Sequence, residues 1–251
     1  MAYRGGRTRT LQFLSSGWFP PATKWLLIVN TAIFIFTFLF HRSPLVQEVS
    51  GLMALTPRAV VEMFMVWQLA TYMFLHGGFS HIIWNMLALW MFGADLERTW
   101  GAARFLRYYL VCGIGAGICV VVANYAAGTP DVATIGSSGA IFGILLAYAL
   151  LFPTRTILWG FLIPIQAKYF VMIIGVVAFL MSMSGGNTGI SEFAHLGGLL
   201  VGYLYLKMPR VRFSPRNQVQ SAYAEWKRQR MRRKFQVYLK KHGSDRDPWV
   251  Q

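Results

Sequence analysis

Six apolar stretches, near 25–40, 81–96, 105–125, 138–152, 169–183 and 190–206, punctuate the chain, separated by polar or Gly/Pro-rich segments. Runs of this length and polarity predict transmembrane helices. Between the first two lies a long segment, 41–80, that is apolar for an exposed connection. It contains Met63-Phe64-Met65-Val66-Trp67, and Pro57 is expected at the first turn of a short helix. This loop is expected to lie partly sunk in the outer leaflet. No internal repeat is visible, so an inverted-repeat transporter finds no support.

Charge sharpens the picture. Residues are 55% hydrophobic, 16% aromatic and only 13% charged, against about 25% charged in soluble domains. Of the 24 Lys and Arg residues, 13 fall in 207–251, leaving 11 basic and 6 acidic side chains for the first 206 residues. A soluble globule could not cover its surface with so few. Lys and Arg also alternate between loops: only Arg42 and Arg58 lie in the first, third and fifth, and the other 22 lie on the opposite side. The positive-inside rule then puts both termini in the cytoplasm. The resulting division is a basic cytoplasmic arm at 1–23, a six-helix core at 24–206 and a basic cytoplasmic tail at 207–251.

Within the tail, residues 217–241 interleave basic and apolar positions, among them Trp226, Arg230, Arg233, Phe235 and Tyr238. This predicts an amphipathic helix at the surface of anionic lipid rather than a nucleic-acid contact. The arm slightly resembles a transit peptide, but a positive-inside arm is the simpler reading. Cys112 and Cys119 are seven residues apart in an apolar run. On a helix they lie about 10 Å apart, too far for a disulfide.

Polar groups inside apolar spans are costly, so each is a candidate for chemistry. They cluster at His81 and Asn85, at Ser137-Ser138 and at His195. Asn30 stands alone in the first span and is expected to hydrogen-bond a neighbouring helix. Gly136-Ser137-Ser138-Gly139 leads straight into an apolar helix, placing a hydroxyl where backbone N–H groups are unpaired. That setting suits a nucleophile whose attack creates an oxyanion, although an N-cap serine would have the same pattern. The helix from Ser138 to Pro153 rises only about 22 Å, less than the roughly 30 Å hydrocarbon layer. Ser138 is therefore expected below the outer surface.

His195, Gly198 and Gly202 share one helical face, and Gly139, Gly143 and Ala147 form a matching strip below Ser138. Packing these small-residue faces together would bring Ser138 and His195 to one end, where a Ser–His pair can form an activated nucleophile. His81 and Asn85, four apart, could both donate to an oxyanion. A zinc site at His76 and His81 lacks further ligands nearby. No acid is placed as a third member of the pair; Glu192 is read as a solvated or structural charge at the loop edge.

These residues resemble the rhomboid intramembrane serine proteases. The matching pieces are His76-Gly-Gly-Phe-Ser-His81-Ile-Ile-Trp-Asn85, Gly136-Ser137-Ser138-Gly139-Ala140-Ile141-Phe142-Gly143 and Ala194-His195-Leu196-Gly197-Gly198, in family order over about 24–206. The resemblance implies an all-α membrane protein, a six-transmembrane-helix rhomboid-like bundle followed by a basic C-terminal amphipathic helix. It makes Ser138 the nucleophile and His195 the general base. The oxyanion hole would comprise His81, Asn85 and the backbone N–H groups of Ser137 and Ser138, with Phe142 packed on the catalytic imidazole. Gly93, Glu97, Gly101, Arg104 and Phe105 look like the family's second-loop pattern. The Trp-Arg pair of some members is absent; Trp67-Gln68 stands nearby.

The implied substrates are transmembrane helices of other proteins, and no cofactor is required. The compact core looks most like a bacterial inner-membrane member. A non-proteolytic rhomboid-like protein that binds membrane clients is the alternative, which loss of Ser or His would signal. A channel or transporter would place charges mid-span. Substrate identity and oligomeric state are not readable from the residues.

Overall fold

A computed structural model describes residues 19–159, 162–183, 189–208 and Met231. Residues 1–18, 160–161, 184–188, 209–230 and 232–251, and with them all but Met231 of the interfacial helix expected at 217–241, lie outside the described residues.

Helix α1 (Pro21–Leu39) starts after Pro20-Pro21, with proline in the first turn. Its first free N–H groups are capped from far along the chain. The Glu97 carboxylate accepts the backbone N–H groups of Ala22 (2.9 Å) and Thr23 (2.7 Å) and the Thr23 hydroxyl (2.8 Å). Glu97 is 3% exposed and Thr23 fully buried. The negative charge thus sits at the positive end of the α1 dipole and satisfies donors that the helix cannot.

The segment 41–80 folds into short helices, α2 (Pro44–Met53), α3 (Pro57–Glu62) and α4 (Gln68–Thr71), the last continuing as a 3-10 turn at Tyr72–Phe74. Pro57 opens α3 as the sequence predicts. Trp67 donates its indole N–H to the Leu52 carbonyl (3.0 Å), and buried Gln68 accepts the Thr56 N–H (3.0 Å). Arg58 makes a bidentate contact with Asp131 (2.6 and 2.9 Å), and Leu55 pairs with Thr134 as an isolated bridge. This end of the bundle is therefore laced together. The Arg58 guanidinium holds the Asp131 carboxyl below its ordinary range. Met63, Phe64, Val66 and Trp67 remain exposed.

Helix α5 (Phe79–Ala88) runs through a π-helical turn at Leu89–Gly93 into α6 (Ala94–Trp100). The sequence suggested one regular span here. The departure coincides with tight packing: a Cβ on Gly93 would lie 3.1 Å from both Leu89 and Phe105. Helix α7 (Ala102–Ala126) is the longest among the described residues and packs against both α8 (Ser138–Leu151) and α10 (Gly189–Lys207). Tyr72 and Tyr108, both fully buried, donate their hydroxyls to helix carbonyls of Gly113 and Gly143 at 2.7 Å each. Asn30 is fully buried and lies beside Tyr109 of α7. Its amide donates to the Leu26 carbonyl of its own helix (2.8 Å), because i−4 places that oxygen within reach of a short side chain.

The connection after α8 is also not helical. Strands β1 (Thr156–Trp159) and β2 (Ile163–Gln166) form an antiparallel hairpin, with Thr156 opposite Gln166, before α9 (Ala167–Met183). β-Branched and aromatic residues favour that local choice. Arg155, just before it, reaches Asp95 at 2.8 Å. Both cysteines are free. Helices α1 and α7 are long and apolar enough to cross a membrane, and α8 and α9 are shorter apolar helices.

Replacing Glu97 with Ala should leave the α1 N-terminus uncapped inside the protein. We expect a loss of about 2–4 kcal/mol, scaled from lost caps and buried unsatisfied donors, read as a lower thermal midpoint in detergent.

Candidate active site

Two glycine-lined faces build the site. Gly139 and Gly143 on α8 meet Gly198 and Gly202 on α10 so closely that a Cβ on Gly198 would collide with the Gly139 carbonyl group. A Cβ on Gly202 would stand 3.2 Å from Gly143 Cα, and one on Gly139 would stand 3.1 Å from the Ala194 carbonyl oxygen. Backbone thus lies on backbone with little side-chain thickness between. Gly139 follows Ser138 and Ala194 precedes His195, so the two candidate residues arrive at the same end of the helix pair.

Ser138 and His195 line one cavity of about 600 Å³, together with His81, Asn85, Phe142 and Glu192. Ser138 is the first residue of α8, and Ser137 occupies the cap position. The unpaired N–H groups of that first turn are the donors a helix start leaves over. Ser137 is fully buried, with its hydroxyl 3.4 Å from His76 Nε2. The Phe142 ring stacks on the His195 imidazole with centroids 4.1 Å apart and planes within 4°. Phe142 is one turn past Ser138, so the helix carrying the hydroxyl also fixes the plane of the histidine.

The opposite wall comes from α5. Asn85 is 6% exposed, and its Nδ2 has no hydrogen-bond partner among the described residues. A buried amide without a partner is costly and is the kind of donor kept for a ligand atom. His81 lies against the turn before Ser138: a Cβ on Gly136 would sit 2.6 Å from His81 Nε2. Gly136 also has φ +117°, a backbone conformation that L side chains rarely adopt. The His76 ring stands edge-on to His81, centroids 5.1 Å apart. Burial, and then the nearby His81, hold His76 down to about 4.

One residue is placed otherwise than the sequence suggested. Glu192, expected as a solvated or structural charge at the loop edge, is largely shielded from solvent. It sits in the first turn of α10, its side chain 14% exposed, and its Oε2 accepts from His195 Nδ1 at 2.8 Å. Three residues are just under one helical turn, so the pair shares a face. That spacing was the available signal. Trp84 is a further wall residue not singled out from sequence, shared with a neighbouring apolar cavity of about 260 Å³ that also includes Met91, Ile141 and Ile174.

Residues 63–210 match the family model described as Rhomboid domain. YdcA, a rhomboid relative from Bacillus subtilis, is 37% identical over 138 residues, 55% of this chain and 64% of that protein. Rhomboid protease GluP of the same organism is 36% identical over 137 residues, covering 55% of this chain and 25% of GluP. Rhomboid-type serine protease 2 of Emericella nidulans is 36% identical over 133 residues, 52% of this chain and 24% of that protein. The chain therefore spans less than two thirds of the length of these relatives.

Two measurements probe the site's construction. Gly136→Ala should displace His81 or reshape the turn, lowering the thermal midpoint and weakening any chemistry at Ser138. Since His76 resists protonation when folded, it favours the native state fully above its ordinary value near 6.5. That contribution is lost as pH falls from about 6.5 to 4. His76→Asn should flatten this part of the stability-versus-pH curve relative to wild type.

Proposed function

Because the chain belongs to the Rhomboid family, an integral-membrane family, we propose that it is an intramembrane serine endopeptidase. The observation that carries this reading is the meeting of Ser138, at the start of buried α8, with His195, clamped by Phe142, in one cavity.

In this reading Ser138 Oγ attacks the scissile carbonyl carbon while His195 Nε2 takes its proton. The oxygen of the tetrahedral intermediate receives hydrogen bonds from Asn85 Nδ2, the His81 ring and the first-turn backbone N–H groups at Ser137 and Ser138. The unpartnered amide of Asn85 supports this role. Donors held ready in a water-poor site stabilise developing charge without reorganising. His195 then passes its proton to the leaving amine, and a water molecule hydrolyses the acyl-enzyme by the same steps in reverse.

The substrate is a transmembrane helix of another membrane protein. The apolar cavity bounded by Trp84, Met91, Ile141, Phe142 and Ile174 adjoins the polar one and is suited to hold an apolar segment beside Ser138. A helix must unwind locally to present its carbonyl, so helix-breaking residues near the cut favour cleavage. The accompanying topology is six spans over 24–206 with both termini cytoplasmic: a basic arm at 1–23, and a tail at 207–251 that meets anionic lipid. A bacterial cell membrane is its setting.

Reconstituted protein should cleave a fluorescent single-span substrate and label with a fluorophosphonate. Ser138→Ala should do neither, and His195→Ala should lose at least about a thousandfold in kcat. Wild-type protein that is folded but neither cleaves nor labels would overturn the reading.

A further inference from the structure

The imidazole of His195 is gripped at more than its face. Phe142 sets the plane of the ring but not which nitrogen carries the proton, because a stacked phenyl neither donates nor accepts in that plane. Glu192 touches the edge. Its Oε2 is 2.8 Å from His195 Nδ1, and the two side chains are only 14% and 18% exposed. Glu192 also lines the cavity that holds Ser138. We propose that Glu192 is a positioning residue for His195: its carboxylate accepts the Nδ1–H, holds the neutral ring in that tautomer, and leaves Nε2 bare to accept the proton of Ser138. This rests on the protease reading above, and extends it from a serine–histidine pair to an arrangement with a third, acidic member.

An acid in the first turn of a helix has an ordinary use, to complement the helix dipole. That use needs no burial: an exposed carboxylate already interacts with the dipole, and turning it inward costs desolvation that a specific partner must offset. Glu192 instead lies largely shielded against the one ring nitrogen that Ser138 does not need. A neutral imidazole has one N–H and one bare nitrogen, and the partner of the first decides the identity of the second. A carboxylate is acceptor-only when ionised, so it admits only the Nδ1–H tautomer. The i,i+3 spacing makes this contact local to α10. It therefore survives small shifts of that helix against α8.

The test separates tautomer from turnover. With ¹⁵N-histidine labelling, His195 is assigned among the five histidines by its loss in His195→Ala. At mildly alkaline pH, wild type should show the proton on Nδ1. Glu192→Leu should move it to Nε2 or populate both forms, whereas Glu192→Gln, whose amide oxygen still accepts, should keep it on Nδ1. In the cleavage assay Glu192→Leu should lose about a hundredfold in kcat, well short of the roughly ten-thousandfold cost of a wrong tautomer in a buried triad. KM and thermal midpoint should be unchanged, and Glu192→Gln should recover most of the loss.

An unchanged tautomer in Glu192→Leu, or a loss confined to KM or to stability, overturns the assignment even if Ser138-dependent cleavage is intact. A tautomer that moves as expected in a protein with no Ser138-dependent cleavage supports the positioning contact and removes the protease reading instead.

Discussion

Everything at the site depends on how closely α8 and α10 approach. Neither Gly139 nor Gly198 has a side chain to hold the backbones apart, and the Gly139 carbonyl occupies the space a Cβ of residue 198 would need. In an apolar medium helices are not driven together by the hydrophobic effect, so association relies on dense packing and polar contacts. The glycine faces provide the first. The hydroxyl of Tyr108, donated to the Gly143 carbonyl, is an example of the second. The same contact fixes depth as well as distance, because Ser138 and His195 are each bonded to residues in the packed seam.

Around that seam, the remaining elements hold the walls. Glu97 ties the start of α1 to α6, and Arg58 with Asp131 ties the segment after α1 to the loop before α8. Gly136 completes the approach to Ser138 by taking a φ that few other residues adopt and by leaving room for the His81 ring. Asn85 lines the cavity, and its buried amide nitrogen has no partner among the described residues. Polar groups are few in this chain, and of those near the cavity Ser137 meets His76 across elements while Glu192 meets His195 within α10. That economy is what an apolar surrounding imposes, since each unsatisfied donor costs more there than in water.

Much of this was legible from residue order. Apolar runs located α1, α7, α8, α9 and α10 to within a few residues, because length and polarity alone decide which segments can pair all their backbone groups in lipid. Four-residue spacing of glycines marked the faces of α8 and α10, and a serine before an apolar run marked a helix start, as helical geometry ties both to local sequence. The family followed from short motifs in register. What local order could not supply was the partner of each polar group. Glu97 reaches back 74 and 75 positions to cap α1, the π-helical turn at Leu89–Gly93 interrupts a run that reads as regular, and β1 pairs with β2 between two helices. Glu192 turned inward to His195. Periodicity states which face a side chain occupies; whether water, lipid or another helix lies beyond that face is decided only when the helices pack.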